Sequence, residues 1–80
     1  MHEMHLIRDF FDDLLSRAKS NQATKITKVY IVIGDFTEIN EDILKFFFKE
    51  NGKGTPLEDA QLVIEKSPVR ELRLVSFDCE

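Results

Sequence analysis

Ile26-Thr27-Lys28-Val29-Tyr30-Ile31-Val32-Ile33, halted by Gly34-Asp35, is the stretch on which the fold turns. Its β-branched residues crowd a helix but pack well on a pleated surface, and the Gly-Asp pair is turn chemistry, so it reads as a strand. Upstream, Met4, Ile7, Phe11, Leu14 and Ala18, joined by Phe10 and Leu15, recur at helical spacing. Glu3, Arg8, Asp9, Asp12, Asp13 and Arg17 fall mostly on the opposite side, which predicts a first helix fading near Ser20-Asn21. Downstream, residues 37–40 lead into a second helix. Asn40 suits an N-cap, and Glu41 and Asp42 suit the positive end of the helix dipole. Ile43, Leu44, Phe47 and Phe48 form its buried face, and Asn51-Gly52 supply a stop. A Gly- and Pro-containing loop over 52–57 then leads to a second strand at 60–66. Ser67-Pro68-Val69-Arg70 connects it tightly to a third strand at 71–77.

The order is α-β-α-β-β. A strand, helix and strand in succession favour a right-handed crossover with parallel strands. The short 67–70 connection then turns the third strand antiparallel to the second. The expectation is an α+β, two-layer domain over residues 1–80: a three-stranded mixed sheet with both helices on one face, its strand order left open.

Composition narrows the function. A net charge of −4 and scattered Lys and Arg argue against a general nucleic-acid binder. No apolar run approaches the ~20 residues of a membrane span, and the N-terminus has no signal-peptide layout. A single cysteine, Cys79, excludes an internal disulfide and any cysteine-rich metal site within the chain, so a cytoplasmic protein is expected. Gly52-Lys53-Gly54-Thr55 follows a helix and precedes a strand, the reverse of a phosphate loop, and reads as a turn. Asp12-Asp13, Glu41-Asp42 and Glu58-Asp59 are adjacent acids, and neighbours on a helix point about 100° apart, so solvated faces are expected there rather than a catalytic dyad. The Phe46-Phe47-Phe48 run reads as core and Cys79 as an exposed thiol. Neither a Ser-His-Asp nor a Cys-His arrangement is visible, and both histidines lie at the start of the chain. A non-enzyme is expected.

The informative residues are Met1-His2-Glu3. His2 is too large for the usual removal of an initiating methionine, so Met1 is expected to stay. Its amine, the His2 amide nitrogen and the His2 imidazole can close two fused chelate rings on one metal. The Glu3 amide, a carboxylate or another side chain supplies a fourth donor. A planar nitrogen set suits Ni(II) or Cu(II) far better than Mg or Ca. His5 adds a second imidazole one helical turn on. Taken alone, three residues favour an ordinary solvated histidine, because short motifs match often by chance.

The whole chain adds to this. Met1-His2-Glu3-Met4 resembles the opening of the HypA family, nickel-incorporation metallochaperones for hydrogenase and urease. Lys25-Ile26-Thr27-Lys28-Val29 with Ile33-Gly34 resembles that family's first strand and its glycine. Leu44-Lys45-Phe46-Phe47-Phe48 resembles its second helix, and Gly54-Thr55 with Ala60-Gln61-Leu62-Val63-Ile64-Glu65 its loop and second strand. In the family a zinc domain with Cys-x-x-Cys pairs follows. Here Ser67-Pro68-Val69-Arg70 stands in its place, and Glu71-Leu72-Arg73-Leu74-Val75-Ser76-Phe77-Asp78 resembles the strand that returns after it. The resemblance implies transient Ni(II) binding at Met1 (through its amine), His2 and Glu3, without structural zinc. It implies work beside nickel-enzyme maturation proteins, a partner GTPase among them. The position of Asn40 can carry a carboxylate near the metal in some members, so Asn40 joins His5 as a secondary candidate.

One further pattern bears on partners. If Val29, Ile31 and Ile33 face the helices, Tyr30 and Val32 face the other way, and Leu74 joins them if Val75 and Phe77 point inward. That apolar outer face is expected to carry a partner or a homodimer contact. Two classes of function follow: a nickel metallochaperone for maturation of an enzyme such as hydrogenase, and a metal-independent interaction module that keeps the fold. A free N-terminal amine should matter only to the first.

Overall fold

The computed structural model describes residues 2–35 and 39–80, with side chains from Met4 onward. Helix α1 (His2–Ser20) buries Ile7, Phe11, Leu14 and Ala18 along one face, as its spacing requires. It ends in a left-handed turn. Gln22 adopts φ 56°, the Ala23 amide donates back to the Ala18 carbonyl at 2.9 Å, and the Gln22 amide donates to that of Lys19 at 3.0 Å. These two bonds are the Schellman pattern that satisfies carbonyls orphaned at a helix end.

Strand β1 (Ile26–Ile33) lies at the centre of the molecule. Ile26, Val29, Ile31 and Ile33 are buried in one cluster with the apolar stripes of both helices, so α1 and α2 cover the same face of the sheet. Helix α2 (Glu41–Asn51) starts at Asn40, whose Oδ1 accepts from the Ile43 amide at 2.9 Å. Leu44 and Phe48 enter the core, where the Phe11 ring meets Phe48 edge-on at 5.0 Å and Phe47 at 5.5 Å. Phe46 does not follow them and stands 66% exposed, so the aromatic run is core only at its last two positions. The 52–55 stretch is the expected turn: the Thr55 hydroxyl donates to the Gly52 carbonyl at 2.7 Å and accepts from the Leu57 amide at 3.1 Å.

Strands β2 (Gln61–Lys66) and β3 (Leu72–Cys79) complete a mixed sheet of order β2-β1-β3. β1 runs parallel to β2 and antiparallel to β3, so the directions are those expected. The connection between β2 and β3 is no hairpin, however. It carries the chain past the carboxyl end of β1 to the far edge of the sheet. The Ser67 amide donates to Ile33 at 2.9 Å, the Gly34 amide to the Glu71 carbonyl at 2.6 Å, and the Asp35 amide to the Val69 carbonyl at 3.1 Å. A Cβ on Gly34 would lie 1.7 Å from the Val69 carbonyl oxygen. Glycine is required there for close approach of two backbones.

Candidate functional site

The topology gathers several chain segments at one end of the fold, where both helices begin and where β1 and β2 finish. Leu6, Asp9 and Phe10 of α1 line a depression with Arg70, Glu71 and Leu72. Gly34, Asp35 and Asn40 line its neighbour with Lys66, Ser67 and Pro68. Residues 67–71 thus lie between the start of α1 and the cap of α2. Hydrogen bonds fix that link: the Ser67 hydroxyl donates to Glu71 Oε2 at 2.7 Å and Arg73 Nε donates to Oε1 at 3.0 Å. Ser67 Oγ also accepts from the Val69 amide at 3.3 Å. The bond from Ser67 first, and that from Arg73 second, hold the Glu71 carboxyl below its ordinary range against a smaller opposing effect of burial. Sequence reasoning missed this network; its only sign was Ser67 standing four residues before Glu71 across Pro68.

Of the expected metal ligands, Met1 lies outside the described residues, as do the side chains of His2 and Glu3. The backbone of His2 and Glu3 forms the first turn of α1, and His5 follows on the same helix with its side chain exposed. Asn40 sits at the same end, but its amide oxygen serves as the α2 cap. Among the described residues, no group of three or more His, Cys, Asp and Glu side chains converges. Cys79 is exposed and pairs with Ile26, at the opposite end of the sheet from the start of α1. Asp13 makes a solvated ion pair with Arg17 at 2.8 Å, in keeping with a polar helix face.

Of the three positions expected on the outer face of the sheet, Tyr30 and Val32 are there and Leu74 is not. Tyr30 is half-buried there and its hydroxyl donates to Asp78 Oδ2 at 3.1 Å. That bond, with burial and the Asp78 charge adding to it, raises the Tyr30 pKa above the ordinary 10.0. Val32 is only 7% exposed although it lies outside the core cluster. Its register neighbours are Glu65 and Arg73, whose long stems can lie along the apolar side chain between them. Leu74 is not on this face at all. The register passes from Tyr30↔Ser76 directly to Ile31↔Leu74, so Val75 is the extra residue of a β-bulge. The bulge breaks simple alternation: Leu74 joins Phe77 and Leu72 against the core, and Val75 is left 53% exposed. The outer apolar patch is therefore Tyr30, Val63 and Val75, which line one shallow depression.

Comparison with known proteins places this geometry. Residues 1–75 match the family described as hydrogenase/urease nickel incorporation, metallochaperone, hypA. This chain belongs to the HypA family. The hydrogenase maturation factor HypA of Prosthecochloris aestuarii is 36% identical over 64 residues, which are 80% of this chain and 57% of that protein. Its namesake from Lawsonia intracellularis is 38% identical over 69 residues, 86% of this chain and 58% of that one. The chain thus spans a little over half the length of these relatives. The solution structure of the Ni metallochaperone HypA from Helicobacter pylori shares the fold, with a TM-score of 0.74, 18% identity and 94% of each chain covered.

Proposed function

We propose that this chain binds Ni(II) as cargo at its first residues and passes it to a nickel-enzyme maturation partner. The match of residues 1–75 to a nickel-incorporation family carries the reading. The backbone supplies a physical reason. α1 begins at His2, and the first N–H groups of a helix have no intrahelical acceptor. The amide nitrogens of His2 and Glu3 can therefore lose their protons to a metal without breaking a helical hydrogen bond. With the Met1 amine and the His2 imidazole they make a planar four-nitrogen set suited to Ni(II). Glu3 then contributes through its backbone, while His5 and Asn40 are accessory at most.

Release to a partner suits a site at one end of the fold, next to the exposed side chains of Met4 and Leu6. The partner in this reading is a maturation protein, a GTPase by family resemblance, and the setting is the cytoplasm. The chain acts as a carrier and not as an enzyme. It uses no structural zinc, and residues 67–71, where the zinc module would stand, contain no cysteine.

The experiment is to compare the chain starting at Met1 with the same chain extended by Gly-Ser at its N-terminus. Extension converts the terminal amine into an amide and should weaken nickel binding severely. A metal-independent interaction module would be indifferent to it. Because imidazole and amides must lose protons, affinity should rise with pH through and above the ordinary histidine value of ~6.5. Equal binding by the extended chain would remove the amine from the site.

A further inference from the structure

We propose that β3 is a self-recognition edge, through which two copies of this chain pair antiparallel and join their sheets into one. β2 and β3 are the two edges of the sheet, and an unblocked edge is a template for another strand. β3 lacks the Lys and Pro that commonly guard an edge, and the guard it does carry, the bulge at Val75, would face the same bulge in a second copy of the strand. Its sequence is complementary to itself when reversed. With the twofold axis between Val75 and Ser76, Arg73 stands opposite Asp78 of the second copy and Leu74 opposite Phe77, while Leu72 meets Cys79.

The bulge is what makes this register workable. Residues directly opposite in an antiparallel pair share a face of the sheet. In a regular strand Leu74 and Phe77 would point to opposite faces, and so would Arg73 and Asp78. The extra residue between them restores the match. Leu74 and Phe77 both pack toward the core, whereas Arg73 and Asp78 are both exposed. Each apolar side chain therefore meets an apolar one beneath the sheet, and each charge meets its opposite above it. β2 offers no such match, since Glu65 and Lys66 pair with Val32 and Ile33 and so point to opposite faces. The homodimer surface is thus assigned to the β3 edge rather than to the outer face of the sheet.

Charge exchange tests the register. Sedimentation of the wild-type chain over a rising concentration series should show a monomer–dimer equilibrium. Arg73→Asp and Asp78→Arg should each weaken it by about tenfold or more, because two symmetric attractive pairs become repulsive. An equimolar mixture of the two variants should associate again, as should the double variant, since both recreate opposite charges across the axis. That recovery also separates a broken interface from a broken fold, given that Arg73 bonds Glu71 and Asp78 accepts from Tyr30. Val63→Lys, on the outer face, should leave the equilibrium unchanged. A wild type that stays monomeric throughout, variants as dimeric as wild type, a mixture that fails to associate, or dissociation by Val63→Lys alone would each overturn the proposal.

Discussion

The amide of Gly34 donates to the carbonyl of Glu71 at 2.6 Å, and the link from β2 to β3 lies so close there that no side chain fits between. This contact joins the end of the central strand to the start of an edge strand. It also lies at the end of the fold where α1 begins. Gly34→Ala would force Val69 and Glu71 aside and strain both backbone bonds at that point. The expected loss is about 3 kcal/mol, at the upper end of the range for overpacking. Urea denaturation reads it directly, and a variant as stable as wild type would mean that the link can move away freely.

At the other end of α1 the strain is removable. Gln22 holds a left-handed conformation that favours glycine. Gln22→Gly should stabilise the domain by roughly 0.5–1 kcal/mol, the relief of a Cβ penalty less the greater flexibility of the unfolded chain. A fall in melting temperature would show that the Gln22 side chain contributes more than its backbone conformation costs.

Asn40→Ala tests whether that residue is a cap or a ligand. Loss of its bond to the Ile43 amide should cost about 1 kcal/mol. Nickel affinity should be unchanged. A drop in affinity without a drop in stability would restore Asn40 to the metal site.

The single tyrosine makes one pKa directly observable by phenolate absorbance. Tyr30 should titrate above 10.0 because its hydroxyl donates to Asp78, and Asp78→Ala should bring it back down. The sign for stability follows. A raised folded pKa means the contribution is whole below the unfolded value and is lost as pH rises through the folded one. Glu71 behaves in the opposite way: its folded pKa is lowered, so its contribution is present above the ordinary 4.5 and lost as the solution turns more acid. Glu71→Gln should accordingly flatten the acid limb of the stability profile. A tyrosine that titrates as high in the Asp78→Ala variant as in wild type would contradict the assigned hydrogen bond.

Much of this architecture was legible in the residues, for identifiable reasons. Helical spacing from Met4 to Ala18 and the β-branched run at 26–33 report local preferences reinforced by burial, so element order and strand direction followed. What escaped was set by contacts distant in sequence. Nothing in residues 67–71 says that they cross β1, because the evidence for it is the space above Gly34. Leu74 was placed on the wrong face because the bulge at Val75 has no local signature such as a glycine. Val32 faces outward as alternation predicts, yet alternation describes direction and not cover, and its register neighbours Glu65 and Arg73 carry stems long enough to lie over it. The metal-binding proposal has a different origin. Composition and periodicity are silent on nickel, and Met1-His2-Glu3 gains its meaning from the resemblance along the rest of the chain.

Calorimetric titration of Ni(II) into the untagged chain, beside its His2→Gln and Cys79→Ser variants, tests the central claim most directly. Glutamine keeps a large second residue, so Met1 is retained while the imidazole is lost. Wild type and Cys79→Ser should bind nickel alike, and His2→Gln should lose most of its affinity. Binding by His2→Gln as tight as that of wild type would contradict nickel coordination at the start of α1.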